Sequence, residues 1–249
     1  MGSDLELALE LADLAAEIAL PAFESRDFST TTKTDGSPVT EVDLEVERAL
    51  RRRLAEARPG HAVTGEELGD AGRSQWRWYL DPIDGTRRFI DSDPLWMTLI
   101  ALAHEDQIRV GVVAFPALGD RWWASRGHGA FHDARPVVVS QTDRLAEATV
   151  ADDWHHTLAR GVTDHPLAVV AACCGHVRPH VGHSFLAVAA GHADVAIGQG
   201  GLAWDYAAPR IIVEEAGGRF SAFDASPRID ARQAVVTNGE LHQDVIAVL

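Results

Sequence analysis

The sequence predicts a mixed α/β protein with two β-sheets, one preceded by a pair of helices and one interleaved with helices. Three observations lead to this fold class. Apolar residues recur at helical spacing near the N-terminus, short apolar runs between turn residues follow, and helical and strand-like segments then alternate. The chain of 249 residues can bury a sizeable core, and the change of pattern predicts domains at 1–140 and 141–249.

Two helices are predicted before the first strand. Residues 4–23 carry apolar side chains on one side and acids on the other, and this helix is expected to end near Pro21. A polar stretch then predicts a loop or hairpin. Thr40 followed by Asp43 resembles a capping box, which predicts a second helix with Asp43 in its first turn.

Beyond Pro59-Gly60, short apolar runs bounded by turn residues are typical of β-strands. We expect them to form one sheet, followed by a second sheet with helices between its strands. The strands predicted for the first sheet are 62–64, 76–80, 96–103, 108–115, 121–125 and 136–140. The second part is predicted to contain strands at 167–172 and 194–197, helices near 181–191 and 204–216, and a short helix after Asn238-Gly239.

Charge and composition argue against several classes of partner. The 22 Lys and Arg against 37 Asp and Glu give a net charge of −15, so nucleic acid and anionic membrane surfaces should repel the chain. No apolar run is long enough to span a bilayer, and the acidic N-terminal segment does not resemble a signal peptide. Cys173 and Cys174 are adjacent and are expected to stay reduced, as in a cytoplasmic protein.

Three acidic segments could carry chemistry: Gly65-Glu66-Glu67, the run DPIDGT at 81–86, and Trp204-Asp205. Each segment alone has an ordinary explanation, as a solvated surface pair, a turn or a helix cap. The middle segment differs because it follows a predicted strand and turns into a helix. Acids and a carbonyl at such a turn would offer the oxygen ligands that Mg²⁺ prefers.

The same turn could also bind phosphate. Asp81, Asp84 and the Ile83 carbonyl would hold a cation, while the backbone N–H groups of Gly85 and Thr86 would face outward at the start of a helix. Such amides bind phosphate oxygens. One short segment could therefore supply both metal and phosphate contacts.

Taken together, GEE, DPIDGT and WD followed by IIVEEAGGRF resemble the inositol-monophosphatase family of magnesium-dependent phosphomonoesterases, over nearly the whole chain. The stretches LWMTLIAL and VGVVAFPALGDRWWASRGHGAF look most like those of the bacterial histidinol-phosphate phosphatases. The resemblance implies a layered αβαβα sandwich, an active site between two domains, two or three Mg²⁺ ions and a homodimer. It also implies a phosphoric monoester hydrolase acting on a small phosphorylated metabolite.

The resemblance further implies roles for individual residues. The implied metal ligands are Glu66, Asp81, the Ile83 carbonyl, Asp84 and Asp205. Thr86 and Asp43 match the pair that orients the attacking water alongside Glu66. Lys33 matches a loop lysine near the active site, and the candidate substrate contacts are Gly85, Thr86, Arg88, His183 and Asp205.

Some positions depart from the family pattern. Many relatives carry a substrate-contacting acid seven residues before Asp205, where this chain has Gly198. Arg87-Arg88 stands where the family commonly has a lysine or threonine and an asparagine. These arginines could be surface residues, or Arg88 could contact a second anionic group or a hydroxyl cluster of the substrate.

Three histidines lie close together in the C-terminal half. His176, His180 and His183 have near-helical spacing, but Pro179 interrupts the run and the other implied ligands are hard oxygens. We therefore interpret them as polar or pocket-lining residues rather than zinc ligands. His183 could face the leaving group, although the stretch around it lacks the aspartate and aromatic residues that histidinol phosphatases tend to carry there.

Three functions remain open from the sequence. Histidinol phosphate is the first candidate substrate, and inositol-1-phosphate or another sugar or cyclitol phosphate, in a specialised biosynthetic pathway, is the alternative. A non-catalytic metal-binding regulator is a more distant alternative. It is disfavoured because every residue that matches a metal ligand is present.

Overall fold

The structure, a computed structural model, describes residues 3–152, 165–179 and 182–249. Within these ranges, helices and sheets form five layers in the order helix, sheet, helix, sheet, helix, which confirms the expected αβαβα sandwich. One sheet has eight strands, the other has five, and a two-stranded hairpin lies near the N-terminus. None of the described helices is long and apolar enough to cross a membrane.

The elements are numbered in chain order. The described α-helices are α1 (Asp4–Ser25), α2 (Glu41–Ala57), α3 (Thr86–Ile90), α4 (Pro166–Cys173), α5 (Ser184–Ala189), α6 (Ala203–Glu215) and α7 (His242–Val248). The described strands are β1 (Thr30–Thr32), β2 (Pro38–Thr40), β3 (Ala62–Gly65), β4 (Gly69–Ala71), β5 (Trp76–Asp84), β6 (Met97–His104), β7 (Gln107–Phe115), β8 (Asp120–Ser125), β9 (Ala130–His132), β10 (Arg135–Val137), β11 (Thr149–Asp152), β12 (His176–Pro179), β13 (Val195–Gln199), β14 (Arg219–Ser221) and β15 (Gln233–Thr237).

Helices α1 and α2 form the first layer, as predicted. A capping box between Ser3 and Glu6 starts α1. The expectation that α1 ends near Pro21 was wrong, because the helix continues to Ser25. Pro21 cannot donate a backbone hydrogen bond. Phe23, two residues later, packs against the core beneath α1 and against the Phe89 ring, and this packing keeps the last turn helical.

The eight-stranded sheet has the order β10-β9-β8-β7-β6-β5-β3-β4 and is antiparallel except between β3 and β5. The first five runs predicted as strands belong to this sheet, but of the predicted strand 136–140 only residues 136 and 137 are in a strand, β10. In β6, Ile100 and Leu102 pack against the α1–α2 layer, while Leu99 and Ala101 pack against the middle helices. Both faces are thus covered, which explains why the strand is apolar throughout.

The five-stranded sheet has the order β12-β11-β13-β15-β14. The prediction of a strand at 167–172 was wrong, because these residues form helix α4. His165 caps this helix and Pro166 occupies its first position, where proline is well tolerated. The last strand of the eight-stranded sheet ends at Val137, and the first strand of the five-stranded sheet begins at Thr149. The division into two domains near residue 140 stays a prediction.

Helices α5 and α6 fill the space between the sheets, close to the predicted positions. Helix α6 approaches β7 so closely that a Cβ atom at Gly111 would lie 2.7 Å from the Ala208 carbonyl oxygen and 2.5 Å from an Ile211 methyl group. Only glycine fits this position. This close packing fixes the start of α6, which carries Asp205, relative to the first sheet.

A buried histidine links α7 to the second sheet. His242 has no exposed surface, and its ring nitrogens lie 2.9 Å from the Ser221 hydroxyl and 3.1 Å from the Thr237 hydroxyl. Burial lowers the pKa of His242 to about 4, with a smaller contribution from Arg219. The folded protein therefore holds a neutral imidazole at pH values where the unfolded chain is protonated.

Acidification should therefore destabilise the fold through His242. Below the unfolded pKa of 6.5 the unfolded chain binds the proton first, so the free energy of unfolding should fall by about 1 kcal/mol by pH 5.5 and roughly 3 kcal/mol near the folded pKa. Denaturant unfolding of the wild type and His242→Gln between pH 7.5 and 5 measures this difference. Parallel pH profiles for the two proteins would contradict it.

Candidate active site

Two acids at the end of β5 point to the same side of the strand because the strand contains an irregularity. Opposite β6, Asp81 pairs with Leu99 and Asp84 with Met97, so β5 contains one extra residue over this step. Residues three apart face opposite sides of a regular strand. The extra residue acts as a β-bulge and brings Asp81 and Asp84 to the same side.

The third acid comes from the other half of the chain. Asp205 lies in the first turn of α6, where its carboxylate accepts a hydrogen bond of 2.5 Å from the Leu202 N–H group. One carboxylate oxygen from each of Asp81, Asp84 and Asp205 lies within 4.8 Å of the others. The structure thus brings together three of the five implied metal ligands as one cluster, which we call the acidic cluster.

The acidic cluster is electrostatically unfavourable without a cation. Burial, followed by the charges of Glu66 and Asp84, raises the pKa of Asp81 well above its usual value. Burial, Asp205 and Glu66 raise the pKa of Asp84 to about 8. Burial also raises the pKa of Asp205 to about 6, although the Leu202 amide opposes the shift. These shifts reflect lost solvation and mutual repulsion.

The oxygen atoms of Asp81 suit a metal ion. Both are buried, and neither has a hydrogen-bond partner within the described part of the chain. A buried carboxylate without a donor is destabilising unless a cation neutralises it. Because the cluster offers only oxygen ligands, it fits a hard divalent cation such as Mg²⁺ better than zinc.

Thr86 and Asp43 meet beside the bulge. Asp43 is fully buried in the first turn of α2, where it accepts a hydrogen bond of 2.8 Å from the Thr40 N–H group. The Thr86 hydroxyl lies 3.2 Å from the other Asp43 carboxylate oxygen and 3.2 Å from the Ile83 carbonyl oxygen. The structure therefore joins the predicted water-orienting pair to a fourth implied metal-binding group, the Ile83 carbonyl.

Glu66 follows β3 and is paired with Lys33. The Lys33 ammonium, on the hairpin after β1, lies 2.7 Å from a carboxylate oxygen of Glu66 and 2.7 Å from one of Glu67. Burial lowers the pKa of Lys33, but the two carboxylates outweigh it and raise the pKa above its usual value. Glu66 also raises the pKa of Asp81 and Asp84, so its charge acts on the acidic cluster.

Gly85 and Arg88 lie at the start of α3. Gly85 has a φ angle of 82°, which glycine adopts without strain, and this residue begins the helix. Arg88 Nη1 lies 2.5 Å from Asp93 Oδ2, and the Arg88 side chain stays 42% exposed. Its charge lowers the pKa of Asp84. Arg88 is therefore near the acidic cluster, and its contact with a substrate stays a prediction.

The histidines have structural contacts. His183 Nδ1 accepts a hydrogen bond of 3.3 Å from the Phe185 N–H group at the start of α5, and it lines a cavity of about 120 Å³. His176 is exposed on β12, and His180 lies outside the described residues. Among the described residues, neither His176 nor His183 belongs to a cluster of metal-ligand atoms. Their predicted roles are not tested by these contacts.

Two acids near the site were missed from the sequence. Glu47, one turn after Asp43 on α2, is fully buried and contacts the backbone after Glu66. Asp93 pairs with Arg88. A signal for Glu47 was present, because an acid four positions after Asp43, beside the apolar residues of an amphipathic helix, should face inward.

Comparisons with known proteins agree with this geometry. A family model described as the inositol monophosphatase family matches residues 3–249. The chain is 40% identical to a histidinol-phosphatase of Mycobacterium tuberculosis, over 99% of this chain and 97% of the relative. It is 37% identical to a histidinol-phosphatase of Streptomyces coelicolor, over 99% and 96%. The crystal structure of the extragenic suppressor protein SuhB from Bartonella henselae is similar with a TM-score of 0.86 and 26% identity, covering 99% and 98%.

The metal-free protein should lose stability as the pH rises. The carboxyl groups of the acidic cluster bind protons more tightly in the folded state, so their stabilising contribution is present at low pH and disappears as the pH passes through about 6 to 8. Between pH 5 and 9, the free energy of unfolding should therefore fall by roughly 2–4 kcal/mol less in Asp84→Asn than in the wild type. Denaturant unfolding in the presence of a chelator measures it.

Asp91→Asn is the matched control, because Asp91 is exposed and lies just after α3. Adding Mg²⁺ at pH 8 should raise the stability of the wild type and of Asp91→Asn far more than that of Asp84→Asn. If the free energy of unfolding changed equally with pH in all three metal-free proteins, repulsion among the carboxylates of the acidic cluster would be contradicted.

Proposed function

Because the chain belongs to the inositol monophosphatase family and is a phosphoric monoester hydrolase, we propose that it hydrolyses histidinol phosphate with the help of Mg²⁺. Two or three metal ions, a homodimer and an active site between two domains are further parts of the proposal. The similarity to two histidinol-phosphatases over almost the full length of both chains supports the substrate.

The observation that carries the proposal is the carboxylate of Asp81. Its oxygens are buried without hydrogen-bond partners in the described residues, yet Asp84 and Asp205 place further oxygens within 4.8 Å. Such an arrangement favours divalent cations. Asp81, Asp84 and Asp205 would hold the ions, together with Glu66 and the Ile83 carbonyl.

Bound Mg²⁺ would neutralise phosphoryl oxygens, lower the pKa of a water molecule and stabilise the leaving alkoxide. The residues of the chain position the reactants. The Thr86 hydroxyl can donate a hydrogen bond to Asp43. Its oxygen is then able to accept a hydrogen bond from the attacking water. Asp43 is itself held by Thr40, so the pair has a fixed direction. The Gly85 and Thr86 amides would contact the phosphate.

The surroundings of Gly198 explain why no acid stands at this position. A Cβ atom at Gly198 would lie 2.9 Å from the Phe185 ring and 3.1 Å from the Tyr206 ring, so an acid cannot stand here without moving them. The Phe185 and Tyr206 rings stack with their centroids 6.0 Å apart. Both rings are buried in the core, so they fill the space beside Gly198 and offer little surface to a substrate. His183 is half-buried, 5.0 Å from Phe185 between ring centroids, and it stays the candidate contact to the leaving group in this region.

The second candidate is an inositol or another sugar or cyclitol phosphate. Arg88 favours it, because a partly exposed guanidinium near the acidic cluster can donate hydrogen bonds to several hydroxyl groups. Asp93 holds the Arg88 side chain in place, which lowers the entropic cost of such contacts. The family description also names this class of substrate.

A phosphate-release panel tests the function. We expect kcat/KM for histidinol phosphate to exceed that for inositol phosphates, sugar phosphates and adenosine bisphosphate, with turnover lost in a chelator. Asp84→Asn should lower kcat roughly 10³-fold, because it removes a metal ligand worth several kcal/mol in the transition state.

Asp91→Asn again serves as the control and should retain activity. Preference for an inositol or sugar phosphate would select the second candidate. Absence of phosphate release from every ester, in a protein that binds Mg²⁺, would support the non-catalytic regulator instead.

Arg88→Ala should change substrate binding more than chemistry. Because Arg88 is partly exposed and lies near the acidic cluster, its removal should raise KM for the preferred substrate about tenfold with a smaller change in kcat. Arg87→Ala is the control, since Arg87 is exposed on the same short helix. An unchanged KM for every substrate that Arg88→Ala turns over would refute this contact.

A further inference from the structure

Helix α2 carries two fully buried acids on one face. Asp43 in its first turn contacts Thr86, and Glu47 one turn later contacts a different segment. Residues four apart lie above one another on a helix, so both carboxylates project from the same side. The helix therefore touches both the DPIDGT turn and the GEE turn.

Glu47 contacts the backbone that directly follows Glu66. One carboxylate oxygen accepts a hydrogen bond of 2.8 Å from the Glu67 N–H group, and the other accepts one of 3.2 Å from the Leu68 N–H group. The second oxygen also accepts a hydrogen bond of 2.7 Å from Arg51 Nε. Glu47 is thus buried with both carboxylate oxygens accepting hydrogen bonds, as a buried carboxylate requires.

The backbone before Glu66 is shaped by the same carboxylate. A Cβ atom at Gly65 would lie 2.1 Å from a Glu47 oxygen and 2.4 Å from its carboxyl carbon. No other residue can occupy this position while Glu47 stays in place. Gly65 is therefore needed because Glu47 fills the space beside it, not because of an unusual φ angle.

We propose that Glu47 is a positioning residue that fixes the turn around Glu66 and thereby sets the affinity of the site for Mg²⁺. The inference rests on the proposed function, in which Glu66 is a metal ligand. Glu47 restricts Glu66 from both sides in the sequence: it excludes a side chain at Gly65 and binds the amides of Glu67 and Leu68. Because Asp43 and Glu47 share α2, the helix also sets the distance between Glu66 and Thr86.

Charge explains why an acid is needed at this position. The turn presents two N–H donors and Arg51 presents a cation, so only a carboxylate can accept from all of them. A glutamine of the same size would direct an NH₂ group at one of these donors. Glu47→Gln therefore changes the hydrogen bonding of the turn with little change in packing volume.

The first test compares Glu47→Gln with the wild type. In the metal-free proteins, hydrogen exchange of the peptide containing Glu67 and Leu68 should become about tenfold faster in the variant, because a hydrogen bond is lost. Calorimetry with MgCl₂ alone should show Mg²⁺ binding weakened about 10–100-fold, as for other changes behind a metal ligand. At saturating Mg²⁺, the remaining loss of kcat should be much smaller than the loss of Mg²⁺ affinity.

Glu45→Gln is the matched control, since Glu45 is exposed on the same helix, and it should leave all three quantities unchanged. A folded Glu47→Gln protein that binds Mg²⁺ as tightly as the wild type would overturn the proposal. A merely structural role would lower the fraction of active protein without shifting the Mg²⁺ dependence. If the wild type itself binds no Mg²⁺, the proposed function fails, whereas faster exchange would still assign Glu47 to the turn.

A second variant keeps the test decisive if Glu47→Gln does not fold. Gly65→Ala leaves Glu47 in the chain but forces its carboxylate to move, so it should weaken Mg²⁺ binding in the same direction. Shortening Glu47 to alanine removes the clash, so Gly65→Ala should lower the unfolding midpoint less in a Glu47→Ala background than in the wild type. Equal effects in both backgrounds would show that the two residues are not coupled.

Discussion

Repulsion among buried carboxylates is the constraint on which the site depends. Asp81 has lost its solvent, has no donor among the described residues, and faces Asp84 and Asp205. Local contacts do not favour this arrangement, as the raised pKa values of all three acids indicate. The arrangement must therefore be imposed by packing elsewhere, chiefly of α6 against the first sheet beside Gly111. A fold stabilised in this way has a site already shaped for divalent cations.

The site is built from short irregular features placed on rigid elements. A single extra residue in β5 turns Asp81 and Asp84 to one side, and the first turns of α2 and α6 supply Asp43 and Asp205. Acids in the first turn of a helix are stabilised by its dipole, which partly offsets their burial. Lys33 then neutralises part of the charge at Glu66. The hairpin that carries this lysine is the least buried part of the arrangement.

The sequence predicted the features that follow from local patterns. Helices α1, α2 and α6 and the longer strands of the first sheet have clear periodicity or clear turn residues, whereas the three-residue strands β4 and β9 were not predicted. The run at 167–172 was misread because six apolar residues fit a buried strand or a buried helix equally well. The acidic cluster could be predicted as a group only through the family resemblance. The buried position of Glu47 could be predicted from the helical pattern, but its partners, the amides of Glu67 and Leu68, lie about 20 residues away and become neighbours only in the fold. Asp93 lies only five residues from Arg88, but no sequence pattern indicates that the two form a pair.

The two ends of the substrate would meet different kinds of residue, and this difference explains why the reaction class is easier to infer than the alcohol. The phosphate end would face acids, a carbonyl and a hydroxyl, whose chemistry any phosphomonoester requires. The alcohol end would face residues such as Arg88 and His183, which the chemistry leaves free to vary. The Phe185 and Tyr206 rings occupy the space that a side chain at Gly198 would need, so an acid cannot stand at this position without moving them. In the proposed function, the choice of substrate would therefore depend on these variable residues rather than on the metal ligands.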